Sequence, residues 1–346
     1  SANINIYRTD TGDLYESAGS SANGEYAVTL PNFSYEFRIQ ASGYKRLVET
    51  LTVNGDMEHD FILEESAGVL LIDADGSTMF AKEKGNLAKM TENEEKGAST
   101  DFFGQILSGY GLEFTEVDVS EMDSETFFDY EALIFARGSS GSLSSEVQGT
   151  LTEYVEAGGV LFIEGGEFGY YDGDDEPFNQ VVLHTNAGNT DSGADEDILI
   201  SDSGHPIALV PNALPNVIEF ERDSYNKGDA MTPAVDAEAV AVWSGAHATK
   251  TSIIAYQNQI VYTSFHFPAI VNAADKEGLF VNILTYLGVM SSGNAGAISG
   301  MVETSDGTPI SGAVVSVNPA NSTVTNANGE YLLDGLYPAT YTVTVE

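Results

Sequence analysis

Apolar and polar positions alternate with period two through much of residues 1–64. Asn3-Ile4-Asn5-Ile6-Tyr7, Tyr26-Ala27-Val28-Thr29-Leu30 and Tyr35-Glu36-Phe37-Arg38-Ile39 each send alternate side chains to opposite faces. That is the period of a strand with one buried and one wet face. Gly, Asn, Asp and Pro fill the stretches between and supply the positive or preset φ that turns require. Residues 297–346 read the same way. Ile298–Val302, Gly312–Val317, Thr323–Thr325, Asn328–Leu333 and Tyr341–Val345 are predicted strands, with a turn at Ser305–Pro309.

The middle of the chain has a different rhythm. Val69–Asp73, Phe114–Asp118, Ala132–Ala136 and Val160–Ile163 are near-continuous apolar runs. Helical stretches separate them: one begins at Phe102 and ends near Gly111, and another follows Ser144 as N-cap and stops at Gly158-Gly159. Further apolar runs at 239–243, 252–256 and 259–263 precede a helix over about Lys276–Leu287. Apolar strands alternating with helices predict a parallel sheet covered on both faces. The expected organisation is multidomain, α/β plus all-β: a β-sandwich module at 1–65, an α/β domain at 66–290 and a second β module at 291–346.

Charge narrows the partners. Among 346 residues, 53 are acidic and 13 basic, a formal net charge of −40. Such a surface repels nucleic-acid phosphates and anionic membranes and draws cations. No apolar run approaches the length of a membrane span, and no basic-then-apolar signal pattern opens the sequence. Cysteine is absent, which removes disulfides, thiolate metal sites and cysteine nucleophiles together. The composition, rich in Gly, Ser, Thr, Asn and Tyr and poor in Lys, leads us to expect an extracellular or cell-surface location.

The two ends repeat one another. Ala22-Asn23-Gly24-Glu25-Tyr26 matches Ala327-Asn328-Gly329-Glu330-Tyr331, and Tyr35–Ile39 matches Tyr341–Val345. A Gly-x-Tyr step after a turn and a Tyr-x-Val strand resemble the carboxypeptidase regulatory-like module, a transthyretin-type, immunoglobulin-like β-sandwich. That resemblance implies a spacer, stalk or adhesion role. The N-terminal copy begins at the strand equivalent to Gly312–Val317. The C-terminal copy stops short of anything equivalent to 41–63. Ile298, Met301 and Val302 lie in the kind of strand one copy lacks. Tyr44, Val53 and Phe61 lie in the kind of segment the other lacks. The expectation is head-to-tail self-association into a filament by strand addition. The competing reading is a piece of a longer repeat protein.

The middle stretch resembles the class I glutamine amidotransferase-like fold, a flavodoxin-like sheet, through Val69–Asp73, Tyr130–Phe135, Tyr154–Gly159 and Asn282–Leu287. In that family a cysteine nucleophile follows the strand matching Val160–Ile163. Here Glu164 occupies that place, within Phe162-Ile163-Glu164-Gly165-Gly166. A carboxylate forms no thioester, so the resemblance implies the fold without that reaction. Glu164 with His266 is the one acid/base pair the pattern suggests. The plainer reading of His266 is a hydrogen-bonded loop histidine between Phe265 and Phe267.

Calcium is the cofactor the acidic loops call for. Asp172, Asp174, Asp175 and Glu176 are the candidate ligands. Asp73-Ala74-Asp75-Gly76 opens like an EF-hand loop, but Lys84 stands where the closing glutamate belongs. Asp191, Asp195 and Asp197 form a third cluster. The plainer reading of each cluster taken alone is a solvated loop. The expected function is that of a non-catalytic extracellular structural or adhesive protein. The alternatives are an extracellular hydrolase using Glu164 and His266, and a glycan- or ligand-binding module stacking on Tyr170, Tyr171 and Trp243.

Overall fold

The structure is a computed structural model. It describes the chain except for residues 1, 22, 42, 75–97, 139–142, 167, 169–175, 187–189, 192–195, 222–227, 291–295, 318–321 and 337–342. No helix among the described residues is long and apolar enough to cross a membrane.

Strands β1 (Asn3–Arg8), β2 (Leu14–Gly19), β3 (Phe33–Gln40) and β4 (Leu47–Val53) form an antiparallel sheet in the order β2-β1-β3-β4. Its register sets Ile4 against Ile39 and Ile6 against Phe37. The sequence alternation therefore gathers Ile4, Ile6, Tyr35, Phe37 and Ile39 into one buried cluster. Asn5, Tyr7 and Gln40 on the opposite face are also buried, because that face rests on the α/β domain. Arg38 lies with its guanidinium carbon 4.3 Å from the centre of the Tyr7 ring. Its Nη1 donates to Gln259 Oε1 at 2.7 Å. Gln259 Nε2 in turn donates to the carbonyls of Val155 and Gly159. At the other end of the seam the Gly43 N–H donates to Glu131 Oε2 at 2.7 Å.

Among the described residues the central sheet has nine strands. β5 (Val69–Asp73), β6 (Phe114–Asp118), β7 (Ala132–Ala136), β8 (Leu161–Glu164) and β15 (Ile260–Thr263) are parallel, in the order β15-β8-β7-β5-β6. β14 (Thr251–Tyr256), β13 (Glu238–Trp243), β10 (Ile198–Ile200) and β11 (Val217–Ile218) extend it antiparallel. The expectation of a parallel sheet is thus corrected to a mixed one. The reason lies at Tyr256–Gln259. Gln257 and Asn258 both have positive φ, 49° and 53°, and the Gln259 N–H donates to Tyr256 O at 2.8 Å. A turn of that hand folds the strand straight back on itself, so its neighbour is antiparallel.

Helix α1 (Ala98–Gly109) starts four residues ahead of Phe102. α2 (Ser145–Glu156) is capped as expected, with Ser144 Oγ accepting from the Val147 N–H. α3 (Glu176–Val181) and α4 (Pro206–Leu209) are short. α5 (Ala273–Tyr286) is capped by Asn272. Phe103 and Leu107 of α1 and Phe280, Ile283 and Leu284 of α5 bury one face of the sheet. Leu151, Tyr154 and Val155 of α2 bury the other. A ribbon of β9 (Thr190–Asp191) with β12 (Asp229–Ala230) lies outside the main sheet.

In the C-terminal region β16 (Gly296–Met301) pairs with β19 (Glu330–Leu336), and β17 (Val314–Ser316) pairs with both β18 (Ser322–Val324) and β20 (Thr344–Val345). Val315 and Leu333 are the buried centre between these layers. The strand expected at Tyr26–Leu30 is not formed. Residues 25–30 lie over the N-terminal sheet without strand pairing, since a strand exists only where a neighbour completes its hydrogen bonds.

Candidate functional site

Four parallel strands end side by side on one edge of the central sheet. Asp73, Ala136, Glu164 and Thr263 are register partners at the ends of β5, β7, β8 and β15. After Glu164 the chain reverses through Gly165 at φ 150°, where a side chain would press on Arg137 and Gly138. Glu164 is fully buried. Its Oε1 accepts from Ser99 Oγ at 2.9 Å and the Phe267 N–H at 2.6 Å, and its Oε2 accepts from the Gly138 N–H at 3.2 Å. One carboxylate thereby ties β8 to the start of α1, the loop after β7 and the turn Phe267–Ala269, through charge-assisted bonds. His266, also buried, directly precedes that turn. Arg137 is buried alongside, with its guanidinium carbon 4.1 Å from the Phe168 ring centre and Nη1 donating to Gly166 O. Ser99 and Arg137 were invisible in the sequence reading, because neither belongs to a motif and only the fold brings them to Glu164.

The remaining histidines hold local structure. His205 Nδ1 accepts from the Ile207 N–H, so Nε2 carries the proton and donates to Glu238 Oε2 at 2.8 Å. His247 meets Glu196 through both its ring and its backbone N–H. His184 stacks 3.7 Å from Tyr256, and burial pushes its imidazole down to about 4.

Asp172, Asp174 and Asp175 lie outside the described residues, as do Tyr170, Tyr171, Asp75, Gly76, Lys84 and Asp195. Glu176 begins α3. Asp191 sits in the ribbon opposite Asp229, and Asp197 Oδ1 accepts from the Phe220 N–H. Among the described residues, no three His, Asp or Glu side chains are arranged to hold a metal ion. Trp243 is no stacking platform. It is fully buried at the end of β13, packed on Phe220 and Phe265, with Nε1 donating to Asp229 O.

The opposite edge of the sheet is covered. Glu131, Gly158 and Gln259 stand just ahead of the starts of β7, β8 and β15, and they meet Gly43, Val48 and Arg38 of the N-terminal module. Tyr44, exposed, bridges to Glu65. Chain segments 23–30 and 55–63 lie over the N-terminal sheet's other face and leave Ile4, Phe37 and Ile39 only 2–3 % exposed. A groove of about 890 Å³ lies between that face and these segments. Ile4, Phe37, Ile39 and Val53 form its floor, and Tyr26 and Phe61 stand in its wall. Tyr26 stacks on Phe61 and donates its hydroxyl to His59 O at 2.8 Å. Met301, in β16, is 54 % exposed, while Ile298 and Val302 are partly buried on Val315 and Leu333.

Residues 297–346 match the carboxypeptidase regulatory-like domain. In this regulatory-like module the matched residues run from β16 to β20. No curated protein matches the chain. Among solved structures, a ThuA-like protein from Bacteroides uniformis is similar at 14 % identity and TM-score 0.45, over 67 % of this chain and 95 % of that one. A cold-adapted β-galactosidase from Rahnella sp. R3 is similar at 11 % identity and TM-score 0.46, over 78 % of this chain and 41 % of that one. A glutamine amidotransferase from Methylobacillus flagellatus is similar at 9 % identity and TM-score 0.38, over 64 % and 96 %. Likenesses of this size carry no inference about activity.

Proposed function

We propose that the chain is a non-catalytic extracellular structural or adhesive subunit that joins to copies of itself head to tail through its terminal β modules. The observation that carries this reading is the groove over the N-terminal sheet, lined by apolar side chains and flanked by two chain segments that pair with no strand among the described residues. Backbone without a strand partner is a template for another chain. In the same reading the middle domain is a flavodoxin-type, amidotransferase-like core between two transthyretin-type modules. Glu164 there serves as a staple, its oxygens turned onto Ser99, Gly138 and Phe267 and sealed from solvent. Calcium bound at Asp172, Asp174, Asp175 and Glu176 belongs to the proposal too. A chelator then lowers the melting midpoint, and an unchanged midpoint removes the metal from the account.

Sedimentation across concentration and salt tests the assembly. Copies that each carry a net charge of −40 repel one another until salt screens them, so association strengthens from low to high ionic strength. Electron micrographs of the high-salt material then show linear particles. A chain that sediments as a monomer throughout refutes self-association.

A further inference from the structure

We infer that the groove of the N-terminal module is an acceptor site for strand β16 of a second copy, and that the internal repeat fixes its register. This deepens the self-association reading and rests on it. The template is inside the chain. Ser21–Tyr26 and Asn326–Tyr331 make the same turn, bond for bond. Ser21 N donates to Glu25 O and Gly24 N to Ser21 O; Asn326 N donates to Glu330 O and Gly329 N to Asn326 O. The Glu25 N–H closes on Ser21 Oγ as the Glu330 N–H closes on Asn326 Oδ1. Gly24 and Gly329 share a positive φ, 82° and 76°. Beyond the turn, residues 330–336 pair with β16, whereas 25–30 pair with nothing among the described residues.

In the C-terminal module Gly300 sits opposite Tyr331, and a Cβ on Gly300 would meet the tyrosine ring and hydroxyl at 2.8–2.9 Å. The tyrosine therefore lies across the strand and requires glycine beneath it. In the N-terminal module the equivalent Tyr26 lies across the groove instead and reaches His59 O on the far wall. Two strands flanking a third stand roughly 9.6 Å apart. Tyr26 fills a span of that order with its ring and a 2.8 Å hydrogen bond, so an entering strand displaces the ring onto its own face, where Tyr331 lies over Gly300.

Three features select β16 as the occupant. The residues Gly296–Val302 carry no charge, while the groove walls carry Glu25, Asp56, Glu58 and Asp60. Among the described residues β16 pairs along one edge in its own module, with β19. Between 25–30 and 56–63 it has a neighbour on each side, so transfer exchanges one ladder for two. Ile298 and Val302, half-buried at home, turn onto the partly buried Val28, Leu30, Val53 and Phe61 that line the groove. By the repeat, Gly300 falls opposite Tyr26, Ser299 opposite Ala27 and Ile298 opposite Val28.

The absence of native cysteine makes the test clean. Ala27 and Ser299 are both exposed, so Ala27→Cys and Ser299→Cys leave the core intact. The two single variants are mixed at assembly salt and oxidised. Directly opposed positions in a strand pair have Cβ atoms about 4.5–5.5 Å apart, close to disulfide reach. The expected result is a heterodimeric crosslink at least tenfold above that of Ala27→Cys mixed with Ala297→Cys, two residues out of register. A synthetic peptide of residues 296–303 suppresses it. Association by sedimentation without this crosslink, or with equal crosslinking at both positions, overturns the strand assignment and leaves self-association standing. A monomer at every salt and concentration, with no crosslink, overturns both. A peptide that fails to compete while the chain assembles shows that another segment fills the groove, which also overturns the assignment.

Discussion

The two β modules start from one repeat and reach different ends. Their turns agree hydrogen bond for hydrogen bond, and their first sheets agree in plan. β2-β1-β3 and β18-β17-β20 have the same order, with Ile4 against Ile39 in one and Val315 against Val345 in the other. Yet Glu330–Leu336 is a strand and Glu25–Leu30 is not. The two segments share the turn, the Glu-Tyr step and an apolar residue two positions on, Val28 or Leu333, and they differ in having a strand neighbour. Alternation prepares a segment to be a strand, and the partner makes it one. The modules also differ in core. Five fully sequestered apolar side chains anchor the N-terminal sheet, against Val315 and Leu333 in the C-terminal one.

That difference is easiest to break in the cores. Phe37→Ala removes a large aromatic side chain under the groove and costs the N-terminal module about 3–5 kcal/mol, whereas Val315→Ala costs its counterpart about 1–3 kcal/mol. Calorimetry of the two variants reads the contrast, and equal losses would mean the cores are equivalent. Next comes the seam that only the N-terminal module possesses. Burial pushes the Glu131 carboxyl up to about 7 from 4.5, a rise the Gly43 N–H only partly offsets. Between those two values the folded state keeps a proton that the unfolded chain has released. Stability therefore falls as pH rises through the window, is unpenalised below it and levels off above it. Glu131→Gln removes the slope and gains about 3 kcal/mol at pH 8 with little change at pH 4. Parallel pH curves for the two proteins would sink the assignment.

A smaller effect sharpens the comparison from the other side. Gly300→Val drives a side chain into Tyr331 and costs the C-terminal module about 1–3 kcal/mol of overpacking, with the N-terminal transition unmoved. The smallest is at Leu332, 53 % exposed on β19. Leu332→Thr shifts stability by no more than about 0.5 kcal/mol. A larger loss there would reveal packing on that face in solution.

Much of this was legible in the chain. Period two in β1 and β3, the apolar runs of β5, β7 and β8, and the Ser144 cap all appear where the pattern puts them. The antiparallel half of the central sheet did not, because Gln257-Asn258 lacks the glycine that advertises a tight hairpin. The pairing failure at Tyr26–Leu30 was equally hidden, since Tyr26–Val28 alternates with the same strand period as Tyr331–Leu333. At Glu164 the pattern marks the position on the strand end, but its donors come from residues 99, 138 and 267. Only tertiary contact assembles them. Trp243 shows the opposite error. An aromatic near a loop reads as available, and here the antiparallel strands bury it.

The bond from Arg38 to Gln259 spans 221 residues. During synthesis the docking face of the N-terminal sheet leaves the ribosome long before the surface it will rest on. At roughly 5–20 residues per second the wait is about 10–40 s. A face of leucines and phenylalanines would invite aggregation through that interval. Asn5, Tyr7, Arg38 and Gln40 instead present amides, a hydroxyl and a cation to water until strand β15 arrives. The polar character of this seam therefore suits a nascent chain that must stay soluble while its partner is still being made.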